Sequence, residues 1–397
     1  MQDIISQRRR TAVAWLALAM LAAQTGHAQT HDSTIAGWVV SDATLPRDAR
    51  PTATSVDLIK GIVHVPTANF RDGTIELDLT PPGTAFAGIA FRMQSAANYE
   101  IIYFRPDSGR WASVQYQPVY DGETTWQLYH DDGYERDLRP GLTGPLHVKI
   151  LIAGSRADVY VAGDTTPALV VRQLKRETVA GGIGVWVANG KDSVMANAGI
   201  QSLNVGFSVP KLATATRETH PPEQLLRWRV SPRMASASIE TPVTLPASAG
   251  ASAWKIVDAE ASGLINLTRV IGNAAGPQRV NVFGGAGWGI AFARTTITSA
   301  NAQTRRLYLS YSDGIGVYLN GTRVFTGRND DSRGANNLGI VGPETEFVDL
   351  ALRAGDNDIV LAITDRAFGW GFRARLDSLR GVAVSAKVAE SQIGGGR

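Results

Sequence analysis

Apolar and polar positions alternate in short runs along most of this chain, and turn-forming residues separate the runs. Residues 70–81 show the pattern cleanly. Asp72-Gly73 makes a turn, after which Ile75, Leu77 and Leu79 share one face of a strand while Glu76 and Asp78 share the other. Further strands are predicted over 61–65, 86–91, 99–104, 111–117, 126–129, 146–152, 156–161, 168–174, 182–187 and 195–205. A second set covers 254–256, 263–266, 288–296, 305–310, 316–319, 323–325, 347–350, 358–364 and 372–376. Gly154-Ser155 joins two of these runs as a tight hairpin, and Asn320-Gly321 supplies the positive φ angles of a type I′ turn. Helical periodicity is nearly absent. The predicted fold class is all-β, as two tandem antiparallel β-sandwiches of jelly-roll type.

Length and punctuation set the expected domains. A chain of 397 residues exceeds one ordinary core. Arg8-Arg9-Arg10, an apolar run over 11–23, and small residues Gly26 and Ala28 read as a signal peptide over 1–28, too short to span a bilayer. The first sandwich is expected over 29–209. Residues 210–224, aperiodic and holding Pro210, Pro221 and Pro222, read as a linker. The second sandwich is expected over 225–385, with a flexible tail over 386–397.

Charge and cysteine then narrow the chemistry. Removing residues 1–28 takes away three Arg and Asp3, a net of +2, which leaves +1 of the formal +3. No basic stripe marks a nucleic-acid surface, and no later apolar run is long enough to cross a membrane. Without cysteine there is no thiol catalysis and no cysteine-bound zinc. The expected location is the periplasm or the outside of the cell.

Sugar binding needs flat aromatic faces and planar polar groups, and residues 98–129 concentrate both. Alternation places Tyr99, Ile101, Tyr103 and Arg105 on one face and Glu100, Ile102 and Phe104 on the other. Neither face is purely apolar, so one is expected to line a wet concave surface. The candidate ligand contacts are Arg92, Tyr103, Arg105, Gln115, Tyr116, Trp126 and Tyr129. The competing reading puts the aromatic residues in the sandwich core, as it does for Trp186 between Val185 and Val187. Trp288 and Trp370 sit among glycines, which suits a stacking platform on loops. Asp330 and Asp331 are weak calcium candidates, since their run lacks the spaced oxygen ligands of a calcium loop. Glu76 and Asp78 are the only acid pair in a catalytic-looking context.

Several of these runs resemble known families. Phe70 to Asp78, Gly88-Ile-Ala-Phe-Arg92, Asn98 to Pro106 and Gly181 to Trp186 resemble the concanavalin A-like lectin/glucanase superfamily, including laminin-G-like and 3-keto-glycoside-hydrolase-like domains. In the laminarinase-like family 16 hydrolases a strand reads Glu-x-Asp-x-x-Glu. Here Glu76 and Asp78 fill the first two places, but Pro81 takes the third, which breaks the acid pair. Tyr318 to Phe325, Leu352 to Val360 and Phe368-Gly-Trp-Gly371 resemble galactose-binding-like jelly rolls. The resemblance implies carbohydrate as partner and a non-catalytic binding role without a cofactor, calcium being the one metal considered. The alternatives are a glycan-acting hydrolase or lyase using Glu76 and Asp78, and a cell-surface interaction scaffold.

Overall fold

A computed structural model describes residues 33–80, 85–105, 113–138, 145–189, 198–213, 217–245, 254–272, 288–330, 338–344, 346–366 and 368–385. The segment assigned to a signal peptide, Pro81, Asp331 and the C-terminal tail lie outside the described residues. Thr34–Arg397 makes one compact unit, built as two sandwiches with separate apolar cores.

The first sandwich sets a nine-stranded sheet against a six-stranded one. The larger sheet runs Ser33–Ile35, Trp38–Thr44, Lys60–Phe70, Gly181–Asn189, Ala85–Ser95, Asn98–Arg105, Ser113–Tyr120 and Glu135–Asp137 across its width, with Glu123–Thr124 also on Ser113–Tyr120. The smaller runs Leu169–Val171, Arg156–Val161, Leu146–Ala153, Gly73–Thr80, Ala198–Gly206 and Val56–Leu58. Strand Gly73–Thr80 alternates as its sequence demands. Ile75, Leu77 and Leu79 enter the core between the sheets, each contributing about 2 kcal/mol by burial, while Glu76 and Asp78 face outward.

The second sandwich pairs an eight-stranded sheet with a four-stranded one. Its larger sheet runs Lys255–Asp258, Arg227–Val230, Gly289–Ser299, Gly355–Asp365, Gly314–Leu319 and Thr322–Arg328, with Met234–Ala235 and Val382–Ser385 also on Gly289–Ser299. Ile265–Asn266, Gly371–Leu376, Gln303–Ser312 and Glu346–Leu352 form the smaller sheet. The described pairings are antiparallel. Asn320 (φ 52°) and Gly321 (φ 84°) make the expected hairpin turn. Two local departures stand out. The run 126–129 forms a short 3-10 turn at Trp126–Leu128, and a helix over Leu267–Ile271 follows Asn266, whose side chain caps Arg269 N.

The sandwiches meet along a polar seam. Lys175 from the first reaches Glu218 (2.7 Å) and Glu260 of the second (3.0 Å). Tyr129 donates its hydroxyl to Glu260 (2.7 Å) and accepts from Asn266 (2.9 Å). Gln127 donates to Asp313 Oδ1 (3.0 Å) and to the Leu338 carbonyl (2.7 Å). Burial raises Glu218 to about 8, and nearby Glu260 and Asp131 push the same way.

Candidate functional site

Strands Asn98–Arg105 and Ser113–Tyr120 are polar-aromatic on one face and apolar on the other. Ile102, Phe104, Val114 and Tyr116 enter the core between the sheets, whereas Tyr99, Ile101, Tyr103 and Val119 join Ile62, Ala90, Met93 and Trp186 on the opposite side. Register then aligns whole rows. One row crosses six neighbouring strands as Ile62, Trp186, Gly88, Tyr103, Gln115 and Glu135. The row beside it reads His64, Gly184, Ala90, Ile101 and Gln117.

Gly88 allows the first row to close. A Cβ there would lie 2.5 Å from Tyr103 Cβ and 2.5 Å from the Ile102 carbonyl oxygen. The absent side chain leaves Tyr103 and Trp186 edge to face at 5.5 Å. Tyr103 donates to Gln115 Oε1 (2.6 Å), whose amide nitrogen donates to the Tyr129 carbonyl (2.7 Å). Arg105 donates to Ser113 (2.9 Å) and ion-pairs with Glu135. Glu135 also meets His130 Nδ1 (2.6 Å), and the His130 ring stands edge-on to Trp126 at 4.8 Å. Burial, reinforced by the Arg105 charge, lowers His130 to about 3, so its imidazole is neutral and Nδ1 is the donor to Glu135.

Among the described residues, the buried polar atoms in and beside these rows that lack a hydrogen-bond partner include Trp186 Nε1, Gln117 Oε1 and His130 Nε2. A buried orphan costs about 1–3 kcal/mol, so such atoms mark places where a ligand or water gains most by binding. Tyr103, Arg105, Gln115 and Trp126 therefore come together here. Gln117 was not among the candidates, and Trp186 is buried, as its flanking valines suggest, but in the apolar cluster on the other face of the sheet.

The remaining candidates go elsewhere. Arg92 (φ 50°) is engaged in chain packing, donating to the Arg71 carbonyl (2.7 Å), Asp72 (3.0 Å) and the Gly154 carbonyl (2.5 Å), while its Nη1 has no hydrogen-bond partner. Tyr116 lies in the core with its hydroxyl on Glu100, a carboxyl whose pKa burial raises. Tyr129 serves the seam. Trp370 is not on an open platform: it is 1% exposed within the second core, with the Arg233 guanidinium 5.6 Å from its ring. Trp288 is partly buried, and its carbonyl accepts from Ser236 N. Asp330 accepts from Arg328 (3.0 Å). Among the described residues, no three His, Asp or Glu side chains are grouped to hold a metal ion.

Glu76 and Asp78 bracket an imidazole. His147 Nε2 lies 3.0 Å from Glu76 and Nδ1 lies 2.8 Å from Asp78, with Lys149 3.7 Å from Glu76. All are solvent-exposed on the outer face of the six-stranded sheet, away from the aromatic rows. The hydrogen bonds to the two carboxylates raise His147, and the bond from His147 lowers Asp78.

A different set of acids does converge, at the end of the second sandwich that meets the first. Gly314 pairs with Thr364, which sets Asp313 beside Asp365; Gly289 pairs with Asp365 from the other side. The Arg233 guanidinium occupies the space that a Cβ at Gly289 would need. Asp313 and Asp365 are 5% and 2% exposed, and Asp365 Oδ1 has no partner. Burial, then the charges of Glu123 and Asp313, push Asp365 well above the carboxylate range; burial lifts Glu123 to about 7 against the pull of Arg233. Burial thus favours the neutral form of the Glu123 and Asp365 carboxyls.

No protein-family model and no curated protein sequence matches the chain. Among solved structures, the carbohydrate-binding module CBM66 from Bacillus subtilis is 16% identical over 44% of this chain and 97% of its own, with a TM-score of 0.30. A tetrameric galectin from the ball sponge Cinachyrella sp. is 8% identical over 37% of this chain and 99% of its own, with a TM-score of 0.29. The GH43 protein BlXynB from Bacillus licheniformis is 15% identical over 43% of this chain and 37% of its own, with a TM-score of 0.30. Similarity of this extent assigns no activity.

Proposed function

We propose that this chain is an exported, non-catalytic carbohydrate-binding protein acting in the periplasm or outside the cell. Its glycan is held by the Trp186–Tyr103–Gln115 row and the adjoining Gln117. The row itself carries this reading: it combines an edge-to-face aromatic pair, a fixed amide and an orphaned indole N–H, and the next row adds an orphaned carbonyl oxygen at Gln117. Sugar hydroxyls both donate and accept, so one accepts from Trp186 Nε1 and another, further along the glycan, donates to Gln117 Oε1, while the pyranose C–H face lies against the rings. Since Trp186 is 2% exposed, binding requires this face to open, and the observed affinity carries that cost.

The test is a glycan array followed by calorimetry on the purified protein. Trp186→Phe keeps a ring but deletes the N–H, and Gln117→Leu deletes the acceptor. Each is expected to weaken the best ligand about tenfold, the equivalent of ~1.4 kcal/mol. Wild-type affinity in both variants, or no glycan bound at all, overturns the reading. Glycan turnover by the wild-type protein would overturn its non-catalytic part.

A further inference from the structure

A groove of about 810 Å3 opens on the second sandwich, at the corner of its larger sheet. Its walls include Arg227, Arg229, Trp254, Ile256, Leu379 and Val382, and no acidic side chain among the described residues lines it. That volume falls within the range of small-molecule sites. The apolar part is unusually open for a sheet face, with Ile256 at 64% and Leu379 at 40% exposure.

Charge at this corner does not balance. Arg229 pairs in register with Ile256 on one side and with Arg294 on the other, so two guanidinium groups stand directly opposite on one row. Like charges in that relation repel, and a single carboxylate, Asp358, lies 3.2 Å from Arg294. Arg227 is satisfied by a two-pronged contact with Asp258 (2.5 and 3.0 Å). Among the described residues, Arg229 makes no ion pair and no side-chain hydrogen bond. Three arginines thus face two aspartates, and the surplus cation, Arg229, lines the groove. Arg294 also lies 5.3 Å from the Trp254 ring, which fixes that indole at the groove wall.

We propose that this groove is a second binding site, for a hexuronate residue of an acidic glycan. The sugar carboxylate pairs with the Arg229 guanidinium, whose planar fork suits it. The C–H face of the ring lies against Trp254 and Ile256. The site shares no residue with the aromatic rows of the first sandwich, so each stands or falls separately.

The test is a calorimetric titration of the full chain with an oligogalacturonate of defined length, its methyl ester, and acetate. The oligogalacturonate is expected to bind. Its methyl ester, Arg229→Gln and Trp254→Ala are each expected to weaken binding at least tenfold. Raising salt should lower the affinity for the acid and leave that for the ester flat. Equal binding of acid and ester by the wild-type protein overturns the proposal without recourse to any variant. So does an unaltered affinity in Arg229→Gln, or the absence of binding. Acetate binding as tightly as the oligomer means an adventitious anion only, and equally overturns it.

Discussion

His147 stands between Glu76 and Asp78 on an exposed sheet face, and its titration is the direct test of what those carboxylates do. Its folded pKa is raised, so its contribution to stability is complete below the unfolded value near 6.5 and is lost as pH rises through the folded value. Asp78 is lowered, so its share is present above the unfolded carboxylate range and is lost as pH falls through its folded pKa. The trio is therefore strongest between the two, and solvent keeps the effect small. In an NMR titration, Asp78→Asn should move the His147 midpoint down toward 6.5; an unmoved midpoint would show that the contact is not formed in solution. Alternation alone shows that Glu76 and Asp78 share the outward face. It does not show His147, because the partner arrives through the pairing of Leu146–Ala153 with Gly73–Thr80, and register is invisible in one strand's sequence.

Strands with two unlike faces are legible in sequence, and strands 98–105 show how far. Their alternation separates Tyr103 and Arg105 from Ile102 and Phe104, as the structure does. The choice of Trp186 as a neighbour of Tyr103 depends on two register steps through Gly88, which no local pattern encodes. Gly88→Ala tests that geometry. The new Cβ would press on backbone at the Ile102 carbonyl and on Tyr103 Cβ, neither of which is the free end of a flexible side chain. A loss of about 1–3 kcal/mol is expected, read as a lower urea midpoint at unchanged slope, with a changed Trp fluorescence spectrum. Wild-type stability would mean that the sheet relaxes around the row. The helix Leu267–Ile271 escaped notice for a related reason. Five residues hold too little periodicity to register, and its Asn266 cap is also a seam residue bonded to Tyr129.

At the scale of the whole molecule, the buried acids between the sandwiches make stability fall as pH rises. A carboxyl whose folded pKa is raised binds more protons folded than unfolded, so the penalty begins near pH 4 and is complete above the folded value. For Glu123, lifted to about 7, the full penalty is of order ~3 kcal/mol. Glu123→Gln and Asp365→Asn should each match wild type near pH 4 and exceed it at pH 8 in urea unfolding. A wild-type profile that rises with pH over that interval, unaltered in both variants, would refute the assignment. None of this was legible beforehand, because Glu123, Arg233, Asp313 and Asp365 are scattered through the chain and meet only when both sandwiches are in place. The same holds for Lys175, whose two counter-charges come from Glu218 and Glu260. Cutting the gene near residue 210 to obtain separate halves would leave that lysine facing solvent beside the rings of Tyr129 and Tyr134, with its neutralising acids on the other fragment. Weak behaviour of either half would then report the wound, and a glycan assay on fragments would undervalue the intact molecule.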